Sequence, residues 1–140
     1  MSNHRATLDA VINAWKVDDV EAVLDHLHPD VVYHYHVGTP PLEGRNNVER
    51  FLLKFGKGQS DIRWRIIRAF EVGDTLMIEG IDEYTDPEGI TVRMPYMGVM
   101  EFEDGKVRRW RDYFDYDVLK AAKAARSSAV WDNLVADLER

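Results

Sequence analysis

One aspartate and two histidines are the residues of this chain best suited by type and spacing to chemistry. Asp112 stands in Trp110-Arg111-Asp112-Tyr113-Phe114-Asp115, where strand alternation would give Trp110, Asp112 and Phe114 one shared face. If that face points inward, the carboxylate lies between an indole and a phenyl ring and must be hydrogen-bonded, paired or shifted in pKa. Such a group can act as a general base, although a structural carboxylate serving a loop or helix end fits the same position. His34 and His36 flank Tyr35, and on an ideal strand the two imidazoles share a face while Tyr33 and Tyr35 take the other. With an aspartate they could form a two-histidine, one-carboxylate metal site. The expectation is instead a polar pocket wall or plain packing, with no metal.

The elements that would carry these groups are legible from periodicity. Leu8, Val11, Ile12 and Trp15, then Val20, Val23, Leu24 and Leu27, recur at helical spacing on either side of Asp18-Asp19. His28-Pro29-Asp30 reads as a turn, Val31 to Val37 as a strand, and Gly38 with Pro40-Pro41 as a loop. Asn46 is the expected cap of a third helix, with Glu49 in the reciprocal position and Val48, Phe51, Leu52 and Phe55 as its apolar stripe. From Ser60 the period becomes two, predicting strands at Ile62–Val72, Leu76–Thr85, Thr91–Glu103 and Val107–Phe114, joined by Gly-Asp, Asp-Pro-Glu-Gly and Asp-Gly turns. The tail from Asp117 reads as a helix through Val118, Leu119, Ala122, Ala125, Val130, Leu134 and Leu138, with Ser127-Ser128 as a point of interruption. Helices followed by an antiparallel meander predict an α+β domain, a curved sheet wrapped around the N-terminal helices with an extra C-terminal helix, as a single unit over 1–140.

Composition narrows the function. A chain of 140 residues, 45% hydrophobic, can bury a core without staples. With no cysteine it has no disulfide, thiolate metal site or cysteine nucleophile. A net charge of −7 repels phosphate backbones, so nucleic acid is not an expected partner. The start lacks an apolar run and no later segment reaches bilayer-spanning length, which leads to the expectation of a soluble, cytoplasmic protein. No glycine-rich phosphate loop, nucleophile elbow or dinucleotide fingerprint occurs, and no cofactor is expected.

The order of elements, together with Pro40-Pro41 to Gly44-Arg45, Glu79-Gly80-Ile81-Asp82 and Met97-Gly98-Val99 through Asp115, resembles the nuclear transport factor 2-like superfamily of conical α+β domains. Within it the chain looks most like the limonene-1,2-epoxide hydrolase family, with SnoaL-like polyketide cyclases and ketosteroid isomerases as more distant relatives. In that hydrolase family one aspartate and a Tyr-x-Asn pair hold the attacking water, and an Arg-x-Asp strand motif protonates the epoxide oxygen. The resemblance puts the basic aspartate on Asp112, the acidic one on Asp82 and the arginine on Gly80. An ungapped alignment puts Tyr-x-Asn on His34 and His36. It further implies that Tyr84, Met94, Tyr96, Trp110 and Leu119 line a substrate pocket. Without the resemblance, Asp82 could equally face solvent.

Two carboxylates without the bridging arginine would push one pKa upward. Arg93 and Arg111 cannot replace it, since alternation turns them to the opposite sheet face from Met94 and Asp112. The leading expectation is a cofactor-free acid/base enzyme acting on a small lipophilic molecule, with epoxide hydrolysis first, Asp112 as base, Asp82 as acid or partner, and His34 and His36 orienting water or substrate. The alternatives are an isomerase or cyclase that abstracts a proton next to a carbonyl, and a non-catalytic binding or dimerisation domain. A homodimer is expected through the outer sheet face, where Met97, Val99 and Tyr113 lie among Arg93, Glu101, Arg109 and Arg111.

Overall fold

A computed structural model describes residues 3–124 and 129–140, without the side chains of residues 129 and 130. Helices α1 (His4–Lys16), α2 (Val20–Asp25) and α3 (Arg45–Gly56) pack on the inner face of a curved six-stranded sheet. Its strands are β1 (Leu27–His34), β2 (Leu42–Glu43), β3 (Arg65–Val72), β4 (Thr75–Thr85), β5 (Thr91–Glu103) and β6 (Lys106–Tyr113), in the order β2-β1-β6-β5-β4-β3. Helices α4 (Tyr116–Lys123) and α5 (Ala129–Leu138) follow. Among the described residues no helix is long and apolar enough to cross a membrane.

The expected meander is present from β3 to β6, but the sheet is mixed. β1 pairs in parallel with β6 and antiparallel with β2, a two-residue strand inside the expected loop. The first strand also starts early. Leu27, expected in the second helix, pairs with Val107, and an irregularity in register before Val32 accommodates Pro29, which has no N–H to give a ladder. Helix α3 is capped by Gly44, not Asn46: the backbone there adopts φ +84°, which glycine takes without a Cβ penalty. The tail forms two helices, the first closed by Ala124, which donates to Ala122 and Lys120. Ala125 and Ser127-Ser128 lie outside the described residues.

The core joins Leu8, Val11 and Trp15 of α1 to Val23 of α2, Leu52 of α3, and Ile78, Met100 and Trp110 of the sheet. Along β4 and β5 the even-numbered residues face this core. Among the described residues the outer face is covered at one end. There α5 packs on β5 and buries Val135, while Ile81 is fully enclosed.

Candidate active site

Beneath the helices the inner face leaves a cavity of about 220 Å³. Asp82, Tyr84, Met94, Tyr96, Trp110, Asp112, His36 and Leu119 all line it. Their convergence follows from register. Asp82 on β4 sits opposite Met94, Asp112 on β6 sits opposite Gly98, and Tyr96 lies between those two positions on β5. Gly98 matters here because an ideal Cβ would lie 3.0 Å from Asp112 Oδ1, so only a bare backbone leaves the carboxylate its place.

Position 80, where the resemblance puts an arginine, has no free space for a side chain. A Cβ on Gly80 would lie 2.7 Å from the Arg65 carbonyl and 2.9 Å from Tyr96 Cε1. The Tyr96 ring covers the position, and its hydroxyl accepts a hydrogen bond from Trp64 Nε1, which leaves the phenolic proton available to the cavity. Arg93 and Arg111 lie on the outer face, bonded to Glu83 at 3.0 Å and Glu101 at 2.6 Å.

The expected face of the histidines is corrected. Tyr33 is buried and stacks on Trp110 at 4.3 Å, and Tyr35 also reaches the cavity, stacking on Phe51 at 4.4 Å. His34 belongs to the other face, pairs in register with Arg111 and does not line the cavity. Regular strand geometry ends there. Tyr35 and His36 form a bend, so His36 escapes the alternation and enters the wall between Phe114 and Tyr116. Two imidazoles therefore do not share a face. The one cluster with metal-ligand spacing among the described residues is His28, Glu103 and Asp104, away from the cavity. There His28 Nδ1 accepts from the Asp30 N–H and Nε2 lies 3.0 Å from Glu103, an arrangement satisfied without an ion.

Burial pushes Asp82 up to about 6. Asp112 is held well above the ordinary carboxylate range by burial and then by the charge of Asp82, opposed by a 3.2 Å hydrogen bond from Trp110 Nε1. Two carboxyls that repel each other titrate as one system: one proton leaves near pH 6 and the second is retained to higher pH. Burial and the same two carboxylates raise Tyr33, and burial with Asp112 raises Tyr96, so both phenols stay neutral donors. The arrangement holds one acid and one base in an apolar enclosure, with phenolic donors beside them.

Residues 8–110 match the SnoaL-like domain family. The chain belongs to that family. It is 29% identical over 132 residues to epoxide hydrolase EphG of Mycobacterium tuberculosis, covering 94% of this chain and 87% of that one. A solved LEH-like epoxide hydrolase from M. tuberculosis superposes with a TM-score of 0.72 at 26% identity, over 86% of this chain and 91% of the other. Delta 5-3-ketosteroid isomerase from Mycobacterium sp. shares the fold, with a TM-score of 0.77 at 16% identity over 84% and 97% of the two chains.

Several wall residues escape sequence reading. Tyr33, Tyr35 and Trp64 line the cavity, as do Trp15, Phe51 and Phe55 from the helices. The helical aromatics carried only the signal of an apolar stripe, which core and pocket wall share.

Proposed function

We propose that this cavity is a cofactor-free acid/base active site that adds water to an epoxide on a small lipophilic substrate. The observation that carries the reading is the convergence of Asp82 and Asp112 in one cavity with a mostly apolar wall, where burial raises both carboxyls. Burial and the charge of Asp82 leave the resting proton of the pair on Asp112, so the reactive form is the one in which that proton has moved to Asp82 and the Trp110 N–H stabilises the charge on Asp112. In that form Asp112 takes a proton from water, the water oxygen bonds to one epoxide carbon as its C–O bond breaks, and Asp82 gives its proton to the departing oxygen. The proton then returns from Asp112 to Asp82. Tyr33 and Tyr96 offer hydrogen bonds to the water or to the developing oxyanion. Likeness to epoxide hydrolase EphG at 29% identity and to a solved LEH-like epoxide hydrolase at 26% supports this reaction class.

A second reading follows from one departure. Among the described residues no lining side chain is an amide, whereas phenols and a protonated carboxyl suit an enolate oxygen. An isomerase or cyclase that moves a proton next to a carbonyl would use this wall. The two reactions separate cleanly when terpenoid and aryl epoxides are tested in ¹⁸O-water and enolisable ketones in deuterium oxide. A diol carrying one ¹⁸O is expected. Deuterium exchange without diol would replace the first reading by the second, and neither reaction with any compound that binds would reduce the cavity to a binding site. The same proposal includes a homodimer through the uncovered part of the outer sheet face.

A further inference from the structure

The cavity continues past its aromatic wall. Phe55, Tyr84 and Lys123 belong both to it and to a groove that runs outward to Lys54, Lys57 and Asp86. Three ammonium groups thus stand at the cavity mouth of a chain whose net charge is −7. A lysine in the last turn of a helix is ordinary, because it complements the helix dipole, and Lys54 in α3 and Lys123 in α4 are both of that kind. Dipole compensation does not explain why two helix ends meet at one rim, or why Lys57, beyond the end of α3, joins them.

Against these three ammonium groups the groove holds one carboxylate, Asp86, which is engaged elsewhere. Asp86 Oδ1 accepts the main-chain N–H groups of Glu88 and Ile90, both at 2.9 Å, and closes its own turn. Among the described residues the lysine that pairs with a carboxylate is Lys120, 3.5 Å from Asp117. Lys54, Lys57 and Lys123 have no carboxylate within 4.0 Å among those residues. Behind them the cavity is apolar apart from its catalytic groups and phenols, so charge selection and apolar burial are separated along one axis.

We infer that the substrate is an amphiphile, a lipophilic acid whose apolar body fills the cavity and whose carboxylate remains at the lysine rim. This rests on the reading of the cavity as a lipophilic active site and adds the head group to it. A carboxylate at the rim keeps its charge partly in water, so recognition avoids the cost of burying it. It also lies away from Asp82 and Asp112, whose shared charge would repel it. Neutral lipophiles would enter without the steering that the ammonium groups provide.

Equilibrium binding separates these claims without relying on turnover. Decanoate and methyl decanoate present the same body with and without the charge, and their binding is followed by quenching of tryptophan fluorescence, because Trp15, Trp64 and Trp110 line the cavity. Decanoate is expected to bind about tenfold more tightly than the ester at low ionic strength, with the preference shrinking in high salt. In the Lys54→Gln, Lys57→Gln, Lys123→Gln triple variant the preference should vanish while ester affinity stays unchanged. Equal binding of acid and ester by the unmodified protein would overturn the head-group inference and leave the cavity reading standing. A preference that survives in the triple variant would overturn the lysine assignment. Binding of neither probe at millimolar concentration would overturn the lipophilic reading and the inference with it.

Discussion

Asp82 and Glu83 are adjacent in sequence and both largely withdrawn from solvent, yet they point to opposite faces of one strand and live by opposite rules. On the outer face Glu83 is 5% exposed and surrounded by Arg65 at 3.1 Å, Arg93 at 3.0 Å and Arg63 at 3.8 Å, with Arg65 bridging onward to Glu139 at the end of α5. On the inner face Asp82 has no ion-pair partner among the described residues and shares its cavity with apolar walls, phenols, His36 and another carboxyl. The first arrangement satisfies a buried charge and fastens β3, β4, β5 and the tail together. The second leaves the charge unsatisfied, which is useful only where a proton must move.

The largest expected effect comes from removing the proton acceptor. Asp112→Asn keeps the shape of the side chain and its contact with Trp110 but cannot take a proton, so kcat should fall by roughly 10²–10⁴-fold with KM little changed. The pH profile of the unmodified protein gives the companion result. Below about pH 6 both carboxyls are protonated and the base is lost, so activity should rise as pH increases through about 6, then fall when the pair loses its second proton. Wild-type turnover by Asp112→Asn would remove this residue from the chemistry.

Converting each neighbouring carboxyl to its amide should move stability in opposite directions. Asp82 is raised from 3.8 to about 6 in the folded state, so the folded protein binds the extra proton between those values. Its stability should therefore be lost as pH rises across that window. Asp82→Asn removes the penalty and should add up to about 3 kcal/mol at pH 8, with little effect near pH 3. Glu83→Gln instead leaves three guanidinium groups without their common partner. A loss of about 2 kcal/mol at pH 8 is expected, below the cost of breaking a fully buried pair because Arg63 and Arg93 are more than half exposed. Urea unfolding of both variants at the two pH values checks the signs. Destabilisation by Asp82→Asn would show that the inner carboxylate is structurally satisfied after all.

How much of this contrast sequence alone could show depended on alternation and distance along the chain. From β3 to β6 the period of two and the turns fixed the strands, and the outward placement of Arg93 and Arg111 followed from it. The convergence of Asp82 with Asp112 came only from family resemblance, since β5 intervenes between their strands. The face of β1 was illegible. Tyr33, His34, Tyr35 and His36 are all aromatic and polar, so the pattern carries no inside or outside, and the bend after His34 breaks the period where it was needed. The parallel pairing of β1 with β6 joins the two ends of the fold, and β2 is too short for any periodicity. Nothing in the sequence announced that Tyr96 takes the room above Gly80, a contact visible only in register.

That contact provides a smaller test of the inner face. Gly80→Ala puts a methyl group 2.7 Å from the Arg65 carbonyl and 2.9 Å from the Tyr96 ring, and the carbonyl cannot move without disturbing the β3–β4 ladder. A loss of about 1–3 kcal/mol is expected, of the size seen for overpacking. For the same reason Gly80→Arg should not gain epoxide hydrolysis unless Tyr96 is also shortened. A stable, more active Gly80→Arg protein would show that the Tyr96 ring yields easily and that the missing arginine is a simple deletion of function.

The smallest effect on turnover is expected on the outer face. There α5 shields the end that contains Ile81, while Met77, Met97 and Tyr113 remain 44%, 49% and 45% exposed. Val99 lies among them, paired in register with Met77 on one side and Arg111 on the other. Arg111 is already bonded to its own Glu101 at 2.6 Å, so the neighbouring charge is internally neutralised and the apolar centre is left for a second copy. An isologous pair would bring Met77, Met97 and Val99 against their symmetry mates, with charged groups at the rim. Val99→Glu places two like charges at the centre of that contact, where they would be poorly hydrated and mutually repelling. Light scattering at micromolar concentration should give a dimer for the unmodified chain and a monomer for Val99→Glu. Turnover should stay within about twofold, because the residues that line the cavity come from the opposite face of the sheet and the helices over it. A monomeric unmodified protein, or a Val99→Glu protein that remains dimeric, would show that the uncovered outer face does not pair.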